Sequence, residues 1–169
     1  MTMTHDEPTQ QTTYQVGVFA LIHHQDTYLI TRPREPLLPG AHGLPGLVLH
    51  GASGTNPVEL NLRRVIRDQL KLVVSDLKLV ASHAARGTHS GRGDARLHLI
   101  FGTDYSAGIL EPDSAQVTAA EWIPRAELLG PGAAPEWLQG AIREAEVLKE
   151  MAEPDAPAPR GRLGFMRRR

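Results

Sequence analysis

A chain of 169 residues, 41% apolar and 22% charged, has the make-up of one soluble globular domain with a proper core. A formal net charge of −1 names no partner, and the absence of cysteine excludes disulfides and thiolate chemistry. No apolar run approaches the roughly 20 residues of a membrane span, the opening MTMTHDEPTQQTT lacks the basic start and apolar core of a signal peptide, and a reducing cytoplasm is the expected location.

Residues 1–13 are polar and are expected to form a disordered tail. YQVGVFALIHH, from Tyr14, is a β-branched apolar run that reads as a strand. QD supplies a turn, and TYLITRPR follows as the second strand of a hairpin. Pro33, Pro36 and Pro39 break further regular structure. GLPGLVLH carries another short strand, ended by the loop GASGT. Asn56 then offers an N-cap, Pro57 suits the first helical position, and Glu59 stands where a capping box needs it. Val58, Leu62, Val65, Ile66 and Leu70 recur at helical spacing and predict a buried stripe. The other face carries Arg63, Arg64, Arg67, Asp68 and Lys71.

KLVVSDLKLVASHAA returns to strand chemistry, and RGTHSGRGDA reads as a polar, glycine-rich loop. RLHLIFGTDY and AAEWIP predict two more strands. RAELLG begins a helical turn that PG stops. APEWLQGAIREAEVLKEM predicts an amphipathic helix with Trp137, Leu138, Ile142, Ala145 and Leu148 on its apolar side. The expected core is Val18, Phe19, Leu21, Leu29, Leu62, Val65, Ile66, Leu99 and Phe101. Residues 151–169 read as a flexible basic tail. Its segment Arg160–Arg169 is either simply solvated or an arm for an acidic or phosphate-bearing partner, with Phe165 and Met166 as apolar anchors. There is no internal repeat, and hairpins interleaved with helices predict a mixed sheet between helices.

Over about residues 14–150 the chain resembles the Nudix (MutT-like) superfamily. The resemblance rests on YLITRPR, on GLPG at residues 43–46, on NPVELNLRRVIRDQLKL, and on the closing AAEWIPRAELL. It implies an α/β fold, a Nudix-like α/β/α sandwich with a mixed β-sheet. It also implies Mg2+-dependent hydrolysis of a nucleoside diphosphate linked to another moiety. The departures fall on that chemistry, so the Nudix box is degenerate. Leu47 replaces the second glycine, and Gly54-Thr55 stands where Gly-Glu is expected. Arg63 takes the place of the motif arginine, whose role in the family is a structural partnership. Arg64, Arg67 and Asp68 fall on the motif glutamates, and Leu70 replaces the motif glycine.

Mg2+ needs hard oxygen ligands in tight octahedral geometry, and carboxylates three or four apart on a helix share the face that supplies them. A guanidinium cannot deprotonate or ligate a metal. The expectation is therefore no metal and no resident cofactor, with Mg2+ relevant only if hydrolysis survives. Guanidinium forks do match phosphate oxygens. Arg63, Arg64, Arg67 and Lys71 are thus the candidate ligand-binding set, against the plainer reading of a solvated charged face. Three functions follow: a domain that binds a nucleotide or phosphate anion without hydrolysis, an active hydrolase, or a protein-interaction module without a ligand. His50 follows the third strand, and His83, His89, His98 and Asp94 can be imagined converging on a transition metal, but no pair shows diagnostic spacing. Ser53, Ser82 and Ser90 lack the G-x-S-x-G context of a nucleophile.

Overall fold

The computed structural model describes residues 13–38, 42–86 and 95–153. Within them the chain forms β1 (Tyr14–His24), β2 (Thr27–Pro33), β3 (Gly46–Val48), α1 (Pro57–Leu70), β4 (Leu72–Val74) and β5 (Lys78–Arg86). It continues as β6 (Ala95–Gly108), β7 (Val117–Pro124), α2 (Arg125–Leu128) and α3 (Glu136–Ala152).

β1 and β6 run parallel through the middle of a seven-stranded sheet, from Tyr14 opposite Ala95 to His23 opposite Asp104. The far edge of β6 pairs antiparallel with β5 along its first half and with β4 near its end. The other edge of β1 pairs antiparallel with β3 at Gly17–Phe19 and with β2 at His23–His24, and β2 pairs antiparallel with β7. The sheet is therefore mixed. The hairpin turn takes a positive φ of 54° at Gln25.

Successive β1 side chains point to opposite faces, and both faces are covered. Phe19 and Leu21 join Tyr28, Ile30 and Ile100 under Leu138, Ala141 and Ile142 of α3. Ala20 and Ile22 join Leu29 under Leu62, Ile66 and Leu70 of α1. The result is an α/β/α sandwich with one core on each side of the sheet.

The GLPG segment needs its glycines because backbone crosses backbone there. A Cβ on Gly46 would stand 2.3 Å from the Val18 carbonyl oxygen, and one on Gly43 would stand 2.7 Å from that of Thr31. Gly43 and Thr31 instead exchange two backbone hydrogen bonds of 2.9 Å, pinning the loop to β2.

Several expectations need correction. Asn56 is the N-cap residue, but its backbone is left-handed (φ 52°) and its side chain makes no cap hydrogen bond, so the capping box does not form. A working N-cap side chain needs extended backbone at that residue. Leu99, Phe101 and Val65 are half-buried, while Ile100 and His98 are the buried residues of that part of β6. The strand alternation is as expected, but Ile100 faces the α3 core whereas Phe101 packs at the margin of the α1 core. Residues 1–12 and 154–169 lie outside the described residues, as does most of the glycine-rich loop with His89, Ser90 and Asp94. No helix among the described residues is long and apolar enough to cross a membrane.

Candidate functional site

α1 is fixed by its inner stripe. Leu62, Ile66 and Leu70 are fully buried, so the opposite pole of the helix faces solvent. Arg64, Arg67, Asp68 and Lys71 are all exposed. Arg63 lies between stripe and pole and behaves differently. Its Nη1 donates to the Val74 carbonyl and its Nη2 to the Ser75 carbonyl, both at 2.8 Å. The guanidinium fork thus ties α1 to the end of β4, the structural partnership that the motif arginine implied.

The remaining cations are loosely engaged. Arg67 Nε lies 3.9 Å from Asp68 Oδ1, and exposure of both side chains makes that pair worth little. Lys71 closes the helix with a left-handed backbone, and its Nζ donates to the Asp68 carbonyl at 3.2 Å. Arg64 makes no hydrogen bond or ion pair among the described residues. On α1 itself the other carboxylate, Glu59, is in the first turn, roughly 13 Å from Asp68 along the helix at 1.5 Å per residue. Among the described residues no three His, Asp or Glu side chains gather in a way that could hold a metal ion. The residues present do not fit a Mg2+ cluster.

A cavity of about 660 Å3 opens beside this helix, between the end of β2, the loop leading to β3 and the turn before β7. Its apolar wall includes Phe19, Leu37, Leu38 and Leu44, and its polar wall includes Arg32, Arg34, His42, Gln69 and Gln116. That volume and mixture suit a ligand of nucleotide size. Gln69 comes from α1 and donates to Gln116 Oε1 at 3.1 Å, joining the helix to the turn before β7. Arg34 Nε donates to the Ser114 carbonyl at 2.7 Å, while Arg32 is exposed. None of Arg63, Arg64, Arg67 and Lys71 lines this cavity. Arg32, Arg34 and His42, which line it, are not among the residues expected from the sequence. The available signal was the pair of arginines in TRPR immediately after the hairpin.

Of the histidines expected to share a metal, His89 lies outside the described residues with Asp94. His83 and His98 stand opposite each other across β5 and β6, and His50 is exposed beyond β3. His98 is buried edge-on against Phe19, with ring centroids 5.4 Å apart. Burial, then the neighbouring His83 and Arg96, hold its pKa below the ordinary histidine value.

No protein-family model matches the sequence, and no curated protein matches it. Solved structures match the fold. The Nudix domain of Shewanella oneidensis NrtR, complexed with ADP ribose, superposes with a TM-score of 0.61 at 19% identity, covering 85% of this chain and 94% of that one. A MutT protein from Methanosarcina mazei Go1 gives 0.61 at 15% identity, covering 83% and 98%. A Nudix hydrolase from Nitrosomonas europaea gives 0.58 at 17% identity, covering 81% and 91%.

The fold is the Nudix fold. Identities this low speak to architecture alone. Within that fold this chain has a glycine-pinned loop, an arginine that clips α1, and exposed Arg64 and Arg67 on the outward pole of that helix.

Proposed function

We propose that this Nudix-fold chain binds a nucleotide or other phosphate-containing ligand directly, with little or no Mg2+-dependent hydrolysis. The observation that carries the reading is the outward pole of α1, where exposed Arg64 and Arg67 leave Asp68 as the lone carboxylate. Such a surface repels Mg2+ and attracts phosphate. The adjoining cavity supports the reading, since it joins apolar walls to Arg32, Arg34 and His42. Gln69 connects the two regions, being on the cavity wall and about 100° round the helix from Asp68. In this reading the ligand's ring system lies against Phe19, Leu38 and Leu44, and its phosphates run toward the α1 cations. Residues 14–150 form the binding domain, and Arg160–Arg169 serves as an arm for an acidic partner.

The competing reading is an active hydrolase of a nucleoside diphosphate linked to another moiety. It is favoured by the structural neighbours that carry the name hydrolase. Calorimetric titration with ADP-ribose and nucleoside diphosphates, in Mg2+ and then in EDTA, separates the readings. Direct binding gives heat that survives EDTA, with no turnover. Turnover that requires Mg2+ and stops with EDTA establishes the hydrolase. A flat trace for every ligand in both conditions leaves an interaction module.

A further inference from the structure

A second cavity, of about 230 Å3, lies on the opposite side of the sheet from α1, beneath the last turns of α3. It is smaller than the roughly 300–1,000 Å3 of drug-sized clefts. Its floor and walls are apolar, from Leu21, Val80, Gly102, Ala145 and Leu148. Its polar side is a three-residue cluster drawn from three elements. Lys149 Nζ of α3 donates to Asp104 Oδ1 of β6 at 2.5 Å and lies 2.9 Å from His23 Nδ1 of β1. His23 Nδ1 is also 3.0 Å from Asp104 Oδ1. With its proton on Nδ1 the ring donates to Asp104 and presents Nε2 as an acceptor; with Nδ1 accepting from Lys149 it presents Nε2–H as a donor. No partner engages Nε2 or Asp104 Oδ2 among the described residues.

These groups select the chemistry of an occupant. A cation finds its place between Asp104 and His23 already filled by the Lys149 ammonium. An anion finds each lysine matched by a carboxylate on the same lining, Lys149 by Asp104 and Lys78 by Asp76. A neutral molecule with several hydroxyls meets neither obstacle. Each hydroxyl both donates and accepts, so it can donate to the open carboxylate oxygen while accepting from the ammonium, and can pair with imidazole Nε2 in either tautomer. Ser75 and Thr103 add hydroxyls to the same lining. The C–H face of a sugar ring is apolar enough to lie on Val80 and Leu148.

We infer that this cavity binds a small neutral polyhydroxylated molecule of the size of one sugar ring, held by Asp104, Lys149 and His23. The test is an amide chemical-shift titration of the full chain with D-ribose, D-glucose and myo-inositol, with glycine and inorganic phosphate as charged controls. The expected result is a saturable shift with at least one polyol, confined to Leu21, Gly102, Ala145, Lys149 and their neighbours. Lys149→Met, which removes the donor, and Ala145→Met, which fills the space, should each weaken it by about tenfold or more while leaving the melting temperature near wild type. Flat shifts for all three polyols overturn the inference. So do saturation by glycine or phosphate instead, and binding that both variants leave unchanged.

Discussion

Arg63→Ala tests whether the first arginine of RRVIRDQL holds the fold or the ligand. In the structure its two fork nitrogens each reach a carbonyl at 2.8 Å, on Val74 and Ser75. Hydrogen bonds from a charged group contribute roughly 1.5–3 kcal/mol each when buried. Here the side chain is half-buried, and water can satisfy the carbonyls once the fork is gone. The pair together should therefore contribute about 1.5–3 kcal/mol, the worth of a single buried bond. For a chain of 169 residues that corresponds to a melting temperature lowered by roughly 3–12 °C. Arg63→Lys should fall between, since a single ammonium cannot reproduce a planar fork. Arg64→Ala, at an exposed side chain without partners among the described residues, should stay within about 0.5 kcal/mol of wild type. Urea unfolding followed by circular dichroism measures all three. If Arg63→Ala melts with the wild type, yet loses nucleotide affinity more than Arg64→Ala does, the structural assignment of Arg63 is refuted.

Other outcomes follow from the same coordinates. Leu62→Ala, at a fully buried position in the α1 core, should cost roughly 2–5 kcal/mol, and a loss below about 1 kcal/mol would show that the helix is not seated as described. Arg67→Glu should weaken phosphate-ligand binding more than Arg67→Ala, and the wild-type affinity should fall with added salt, because exposed charges are screened beyond about 8 Å at physiological ionic strength; equal effects of the two substitutions would remove Arg67 from the site. The Arg125 fork lowers the pKa of Glu146, with burial opposing and the Tyr28 hydroxyl assisting. A depressed carboxylate stabilises the fold above its unfolded pKa, about 4.3, and that contribution is lost as pH falls through the lower folded value. Wild type should therefore lose stability on acidification more steeply than Glu146→Gln, and parallel acid-unfolding curves would contradict this.

What the sequence makes legible is local. The α1 stripe, the hairpin and the strand runs declare themselves by period and by turn residues, and they lie where expected because each depends on residues within a few positions. Asn56 fails as a side-chain cap because its backbone is left-handed, whereas a capping side chain needs extended backbone there. The half-burial of Leu99 and Phe101 depends on where the covering helices end, which periodicity does not report. The two cavities are further from view. Cavity-lining Gln69 and Gln116 are 47 positions apart, and His23 meets Asp104 and Lys149 across 81 and 126 positions. No motif spacing encodes such meetings. The meeting of His23, Asp104 and Lys149 exists only once β1 and β6 are aligned in parallel and α3 packs over that face of the sheet.

The separation between fold and chemistry is built into α1 itself. One pole of the helix supplies Leu62, Ile66 and Leu70 to a closed core, and its flank supplies Arg63 to two carbonyls. Those contacts set the helix position and leave no demand on the outward pole, where charge is exchanged at little cost in stability. In the proposed reading the arginines there favour an anion over a divalent metal, and they do so without contacts to the GLPG loop or the sheet core. A Nudix-fold neighbour therefore vouches for the first set of contacts and is silent on the second. The identity of positions 64, 67 and 68, rather than the quality of the superposition, is what bears on whether this chain hydrolyses a phosphate ligand, holds one, or does neither.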